Sequence, residues 1–244
     1  MNIPPNPPKP PPVLSSRRQL VFEPMTGDLT PALLLETLLK RPGQIIYDLF
    51  HARKAALLAW LFVLGILGVS LYGVVVGAQA GREQIMIAPA KLGLAAFLSM
   101  LICLPSLYIF TALDGIDAEI RGISGSLFAA VCLCAILLVG FAPVAWIFSQ
   151  STDSVLFMGT LHLVFWAIGI RFGLRLIEAM SRFLGGHSTS HLKVWSAIFI
   201  LVCLQMMTAL RPIITTSATF FPVEKKFFLV QWWDCLTGTV DKGN

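Results

Sequence analysis

Five long apolar runs divide this chain and constrain its fold more than any other feature. They cover residues 55–79, 92–113, 126–148, 155–183 and 192–216. A run of about 20 apolar residues is long enough to cross the hydrocarbon core of a bilayer as an α-helix. A single open strand would leave backbone groups unpaired there, whereas a helix pairs its own. The sequence therefore predicts an all-α, polytopic integral membrane protein, with five transmembrane helices in residues 55–216.

The composition agrees with that class. Charged residues make up 13% of the 244 residues, whereas soluble domains carry about 25%. The five runs leave no room for a large soluble domain. We assign the net charge of +5 to topology and to lipid-surface contact rather than to nucleic acid. Four of the five cysteines lie inside apolar runs, where cysteine behaves as a small buried hydrophobe, so we predict no disulfide framework, metal or cofactor.

The segment before the first run has two parts. Residues 1–29 begin with seven of the fifteen prolines in twelve positions, which favours a disordered cytoplasmic tail. A docking ligand for a proline-binding partner is the alternative.

Residues 30–54 carry apolar side chains at helical spacing, interrupted by Pro42 and Gly43. They predict two amphipathic interfacial helices, with Thr30 as N-cap and Pro31 at the first helical position. We expect them to lie along the membrane surface, with packing against a partner subunit as the alternative. The basic residues expected to face anionic lipid are Lys40, Arg41, Arg53 and Lys54.

Residues 217–244 combine aromatic and basic side chains. Such a mixture is typical of an interfacial segment at headgroup depth. The expected anchors are Lys225, Lys226, Trp232 and Trp233.

Basic residues between the runs predict the orientation. Five spans place the termini on opposite sides, and cytoplasmic ends carry an excess of Lys and Arg. One side holds Lys40, Arg41, Arg53, Lys54, Arg121, Arg182 and Lys193; the other holds Arg82, Lys91, Lys225 and Lys226. This bias predicts a cytoplasmic N-terminus and a C-terminus on the opposite side. We expect the membrane to be a bacterial inner membrane.

The fourth run holds most of the ionisable residues within spans. Arg171, Arg175, Glu178 and Arg182 follow one another at i, i+4, i+7 and i+11, so they form one stripe on a helix. Charges in hydrocarbon are costly, and such a stripe should face protein, water or headgroups. One interpretation is a cavity for an anion or a lipid headgroup. The other is that the outermost arginines reach the cytoplasmic interface while Glu178 pairs with Arg175 or Arg182.

Three further polar residues lie in the spans. His162 falls on the opposite stripe of the fourth run, and we expect it to be hydrogen bonded inside the bundle, with a lipid or anion contact as the alternative. Arg171 lies too deep to reach the interface easily. Gln205 and Arg211 of the fifth run are the candidate intramembrane partners, and for Arg171 we expect Gln205 or another subunit.

The sequence contains no HExxH, GxSxG or P-loop motif, so we predict that it is not an enzyme. We expect a scaffold or accessory subunit of a larger membrane assembly, with membrane lipids and other membrane protein subunits as partners. The alternative is a channel or a small-solute or lipid transport component that uses the stripe of the fourth run.

The layout resembles one known family. Five spans, a proline-rich N-terminus and a short outer tail are similar to the Yip1-like family of multi-pass proteins. Lys40-Arg41-Pro42 before the first span and Leu104-Pro105 in the second are similar to its bacterial members. The resemblance covers residues 30–216. It implies a non-enzymatic role in membrane organisation or trafficking, and no catalytic residues carry over.

Overall fold

The computed structural model describes residues 20–52, 54–80, 84–152, 154–186 and 190–210. Within these ranges the regular secondary structure is entirely α-helical. The helices are α1 (Pro31–Lys40), α2 (Pro42–His51), α3 (Ala55–Ala80), α4 (Gln84–Leu113), α5 (Ile120–Ser151), α6 (Val155–Phe183) and α7 (Ser190–Leu210).

Several predictions fall outside the described residues. They concern the proline-rich residues 1–19 and the whole C-terminal segment 217–244. The individual residues concerned are Arg53, Arg82, Arg211, Lys225, Lys226, Trp232 and Trp233.

Four of the helices are long and apolar enough to cross a membrane. They contain the candidate spans Ala55–Ala78, Ile85–Leu113, Ile120–Ser151 and Phe157–Phe183, with mean hydropathies of 1.5 to 2.7. The apolar part of α7 is shorter, at Ser190–Met206. The chain is therefore a helical membrane protein with four candidate spans and one shorter apolar helix.

Helix α4 begins eight residues before the apolar run that predicted it. It starts at Gln84 and continues past Pro89, although a proline at the sixth helical position removes one backbone hydrogen bond. Lys91 consequently lies within α4, and its side chain is 1% exposed. The sequence places Lys91 between two spans, which is wrong because the residue lies within α4; its expected location on the outer side stays a prediction.

Helices α1 and α2 begin and end as the sequence predicts. The Thr30 side chain accepts a hydrogen bond from the Leu33 amide at 3.2 Å, and Pro31 occupies the first position. The next proline, Pro42, opens α2 directly after Arg41. Both helices are amphipathic, but their apolar faces pack on protein.

The apolar residues of α1 and α2 join the core formed by the long helices. Leu34 and Ile45 are completely buried in it. Leu49 lies directly over Gly125 of α5 and Phe50 over Gly122, so two glycines leave the space into which α2 fits. The two helices therefore cap one end of the bundle, the α1–α2 end; their expected position along the membrane surface stays a prediction.

The long helices pack as an open ring. Helix α3 packs along both α4 and α5, α5 packs along α6, and α4 packs along α7. The spatial order is therefore α7, α4, α3, α5, α6. Helices α6 and α7 close the ring only loosely, since few of their residues approach one another. The result is a cleft between them.

Gly73 sets the separation of α3 and α4. A Cβ atom there would lie 2.7 Å from Pro89 Cα, which is backbone and cannot move aside cheaply. A Cβ atom at Gly140 of α5 would meet nothing within 4 Å. Substitution by alanine should therefore destabilise the protein at Gly73 but not at Gly140.

We expect Gly73→Ala to lower the free energy of unfolding by about 1–3 kcal/mol, because overpacking separates the helices. Gly140→Ala should leave it unchanged or raise it slightly, since alanine is the better helix former. Thermal unfolding of the two variants in the same detergent provides the comparison. Equal melting temperatures would contradict the close approach of α3 and α4.

Candidate functional site

The cleft between α6 and α7 has a volume of about 1520 Å³, and the predicted stripe of charged residues on α6 lines it. Arg171, Arg175, Glu178 and Arg182 all line it from α6. Lys193 adds a cation from α7, a residue that the sequence singled out only for topology.

Positive charge is in excess in this cleft. Four cationic side chains and one carboxylate leave three formal positive charges. In the described part of the chain, no salt bridge joins Glu178 to Arg175 or Arg182. The Arg175 guanidinium instead lies 5.7 Å from the centroid of the Phe172 ring. The pairing predicted for Glu178 is thus not formed, and the cations are available to an anion.

Arg171 is the deepest cation of the cleft. It lies twelve residues before the end of α6 at Phe183, which corresponds to about 18 Å along the helix axis. Its side chain is exposed to the cleft. The Gln205 Oε1 atom is buried without a hydrogen-bond partner among the described residues, so the predicted Arg171–Gln205 contact is not formed.

The walls of the cleft beyond the charges are apolar. On α6 they consist of Leu163, Trp166, Ala167 and Ile170; on α7, of Ile200, Cys203 and Leu204. Leu20 and Phe22, from the segment before α1, line another part of the rim. A cationic section and an apolar section in one cleft suit an amphiphile with an anionic headgroup.

His162 does not belong to this cleft. Its Nδ1 atom shares a hydrogen bond of 2.6 Å with the Tyr72 hydroxyl of α3, and both side chains are at most 1% exposed. The expectation of a hydrogen-bonded histidine inside the bundle is confirmed. Because this side chain faces α3, His162 contributes to packing and not to the charged stripe.

Two polar contacts hold α7 on α4. The His191 Nδ1 atom lies 2.6 Å from Asp114 Oδ1, a carboxylate that is buried at the end of α4. One turn further along α7, the Trp195 indole donates to the Cys103 carbonyl at 3.3 Å and to the Ser106 hydroxyl at 3.2 Å. These contacts secure the side of α7 that faces away from the cleft.

The predicted lipid-surface residues that the structure describes are exposed at the α1–α2 end. They are Lys40, Arg41 and Lys54. Lys40 donates to Glu36 at 2.8 Å, and this hydrogen bond, with the charge of Lys40, lowers the pKa of Glu36. Lys40 is thus partly neutralised, and Arg41 and Lys54 present the unshielded charge.

The fold and the site define a class: a helical membrane protein with a cationic, amphipathic cleft at one edge of its bundle. Comparisons with family models, with curated proteins and with solved structures gave no match. A function is therefore assigned from the chemistry of the cleft.

We expect Tyr72→Phe to lower the free energy of unfolding by about 1–3 kcal/mol, because it leaves the buried His162 ring nitrogen without its partner. Tyr108→Phe is the matched control, since Tyr108 is 41% exposed. Thermal unfolding in detergent measures both. Equal effects at the two tyrosines would show that the Tyr72–His162 contact contributes nothing to stability.

Proposed function

We propose that this chain is a non-enzymatic integral membrane protein that binds an anionic membrane lipid in the α6–α7 cleft, as part of a lipid transport system. Of the two functions expected from the sequence, this is the one that the geometry favours. The observation that carries it is Arg171, a cation halfway along a membrane-spanning helix.

A charged side chain at such a depth costs about 3 kcal/mol or more unless it is compensated. Among the described residues no carboxylate pairs with Arg171. Glu178 lies seven residues further along α6, about 10 Å by helical rise. A phosphate group can accept hydrogen bonds from more than one guanidinium, so a lipid phosphate between Arg171 and Arg175 would compensate both.

The apolar section of the cleft supports a lipid over a soluble anion. Trp166, Ile170 and Ile200 line this section and would contact hydrocarbon chains. A free phosphate would leave these walls without contacts. The cleft also lies at the open edge of the helix ring, where a lipid can enter sideways from the bilayer.

We include α7 as a fifth span in this proposal. Its 21 residues correspond to about 31 Å, close to the hydrocarbon thickness of about 30 Å, and it packs along α4. The cationic end of the cleft is also the α1–α2 end, where Arg41, Lys54 and Arg121 cluster by topology. This supports a cytoplasmic location for that end, in a bacterial inner membrane, with the cleft open to the anionic inner leaflet.

We expect Arg171→Gln to weaken binding of phosphatidylglycerol by about 10- to 100-fold, since a hydrogen bond to a charged group contributes about 1.5–3 kcal/mol. Titration of the detergent-purified protein, followed by native mass spectrometry, gives the affinity. Phosphatidylcholine should bind weakly to both forms, because it carries no net charge.

The matched control is Arg121→Gln, which makes the same change at a half-buried position outside the cleft. This variant should bind phosphatidylglycerol as the wild type does. Equal losses in the two variants, or equal binding of both lipids by the wild type, would rule out the proposed site.

The second candidate is a scaffold or accessory subunit of a membrane assembly, the role that the Yip1-like layout implies. Its support is the apolar surface beside the cleft, where Phe172 and Leu201 are 43% and 49% exposed. A helix of another subunit could cover these side chains and fill the cleft.

For this candidate we expect gentle extraction followed by native mass measurement to recover a defined complex of two or more chains. Phe172→Ser should dissociate it, whereas a matched change at the lipid-exposed Ile109, on α4, should not. A strictly monomeric species without a co-purifying protein would argue against the scaffold role.

A further inference from the structure

A second, smaller cavity lies behind the cleft, inside the helix ring. Its volume is about 40 Å³, and residues of α3, α4, α5, α6 and α7 line it. Four residues line both this cavity and the cleft, so they form the partition between the two. They are Trp166, Ile170, Leu174 and Cys203.

The inner cavity suits an apolar group. Its remaining lining includes Val69, Ala96, Leu127 and Phe199, whose side chains offer no hydrogen bonds. Apolar cavities of this kind stay free of water and accept hydrocarbon. A polar ligand would lose its hydration there without compensation.

The two sides of the partition are held differently: the Cys203 side chain is hydrogen bonded to Ser99 of α4, whereas Trp166 is held by packing alone among the described residues. The Trp166 Nε1 atom is buried and has no hydrogen-bond partner among the described residues, so no polar contact fixes the indole. Helices α6 and α7 make few contacts with each other, while α7 is held on α4. A small shift of Trp166 relative to Cys203 would therefore join the two cavities without unpacking α7.

We propose that the end of one acyl chain of the bound lipid passes between Trp166 and Cys203 and occupies the inner cavity. This inference rests on the lipid-binding function proposed for the cleft. With the phosphate among Arg171, Arg175 and Lys193, the chain runs along the apolar wall toward Cys203. Ile170 and Leu174 of the partition adjoin Arg171 and Arg175 on α6, so an acyl chain of the bound lipid passes the partition close to the headgroup.

Charge argues against the chain's own N-terminal segment as the occupant. Leu20 and Phe22 line the cleft, and the residues just before them in the sequence are Arg17 and Arg18. These carry the same sign as the cationic section, and bringing them into it would be repulsive.

The proposal is tested with a substitution that fills the inner cavity. Ala96→Leu, on α4, places extra methyl groups in it, whereas Ala112→Leu makes the same change at an exposed position of that helix. Dioleoyl phosphatidylglycerol and its deacylated headgroup, glycerophosphoglycerol, are titrated separately against each protein, with bound ligand measured by native mass spectrometry. We expect Ala96→Leu to weaken binding of the dioleoyl lipid by about tenfold, since about two buried methylene groups are displaced.

Binding of the headgroup should be the same in all three proteins, because it has no acyl chain to enter the inner cavity, and Ala112→Leu should match the wild type for both ligands. If Ala96→Leu changes both affinities equally, or neither, the acyl chain does not enter the inner cavity, although the cleft still binds lipid. If the wild type binds neither ligand, the proposed function fails, and this inference fails with it.

A second measurement uses the wild-type protein and needs no substitution. Cys203 lines both cavities, so a chain that passes it should slow its alkylation by N-phenylmaleimide. Peptide mass mapping separates Cys203 from the other four cysteines. Protection by the dioleoyl lipid but not by glycerophosphoglycerol is expected, and equal labelling with the two ligands would overturn the proposal.

Discussion

Helix α7 is attached to α4 and only loosely to α6, its neighbour in sequence, and the site depends on this asymmetry. The buried Asp114 carboxylate binds His191 at the first turn of α7, and the Trp195 indole reaches the backbone and a hydroxyl of α4. With one side of α7 fixed in this way, its other side remains apart from α6. The cleft, its charged section and the inner cavity all follow from that spacing.

The sequence predicts the helices well because their signals are local. Apolar runs, the Thr30 cap and Pro42 each act within a few residues, and the structure places helix boundaries accordingly. The charged stripe of α6 was likewise predictable, since spacing alone puts Arg171, Arg175 and Glu178 on one face.

The other features of the site depend on which helices pack together, and no local sequence pattern determines that packing. Gln205 was a reasonable partner for Arg171 by residue type, but α7 lies against α4 and the two side chains form no contact. Lys193 likewise lines the cleft because of the way in which α7 packs against α4, which spacing along the chain does not predict. Lys91 was misplaced because the helix continues through Pro89, while Lys91 itself interrupts an otherwise apolar sequence on both sides of it.

The contact between α2 and α5 has a consequence for the order of assembly. Leu49 and Phe50 fit over Gly125 and Gly122, yet about 70 residues of chain separate these partners in synthesis. Helices α1 and α2 are therefore made before the surface that receives them exists. Until α5 has been inserted, these apolar faces lack the partner that buries them in the finished fold, so α1 and α2 can take their final place only after the third long helix has been made.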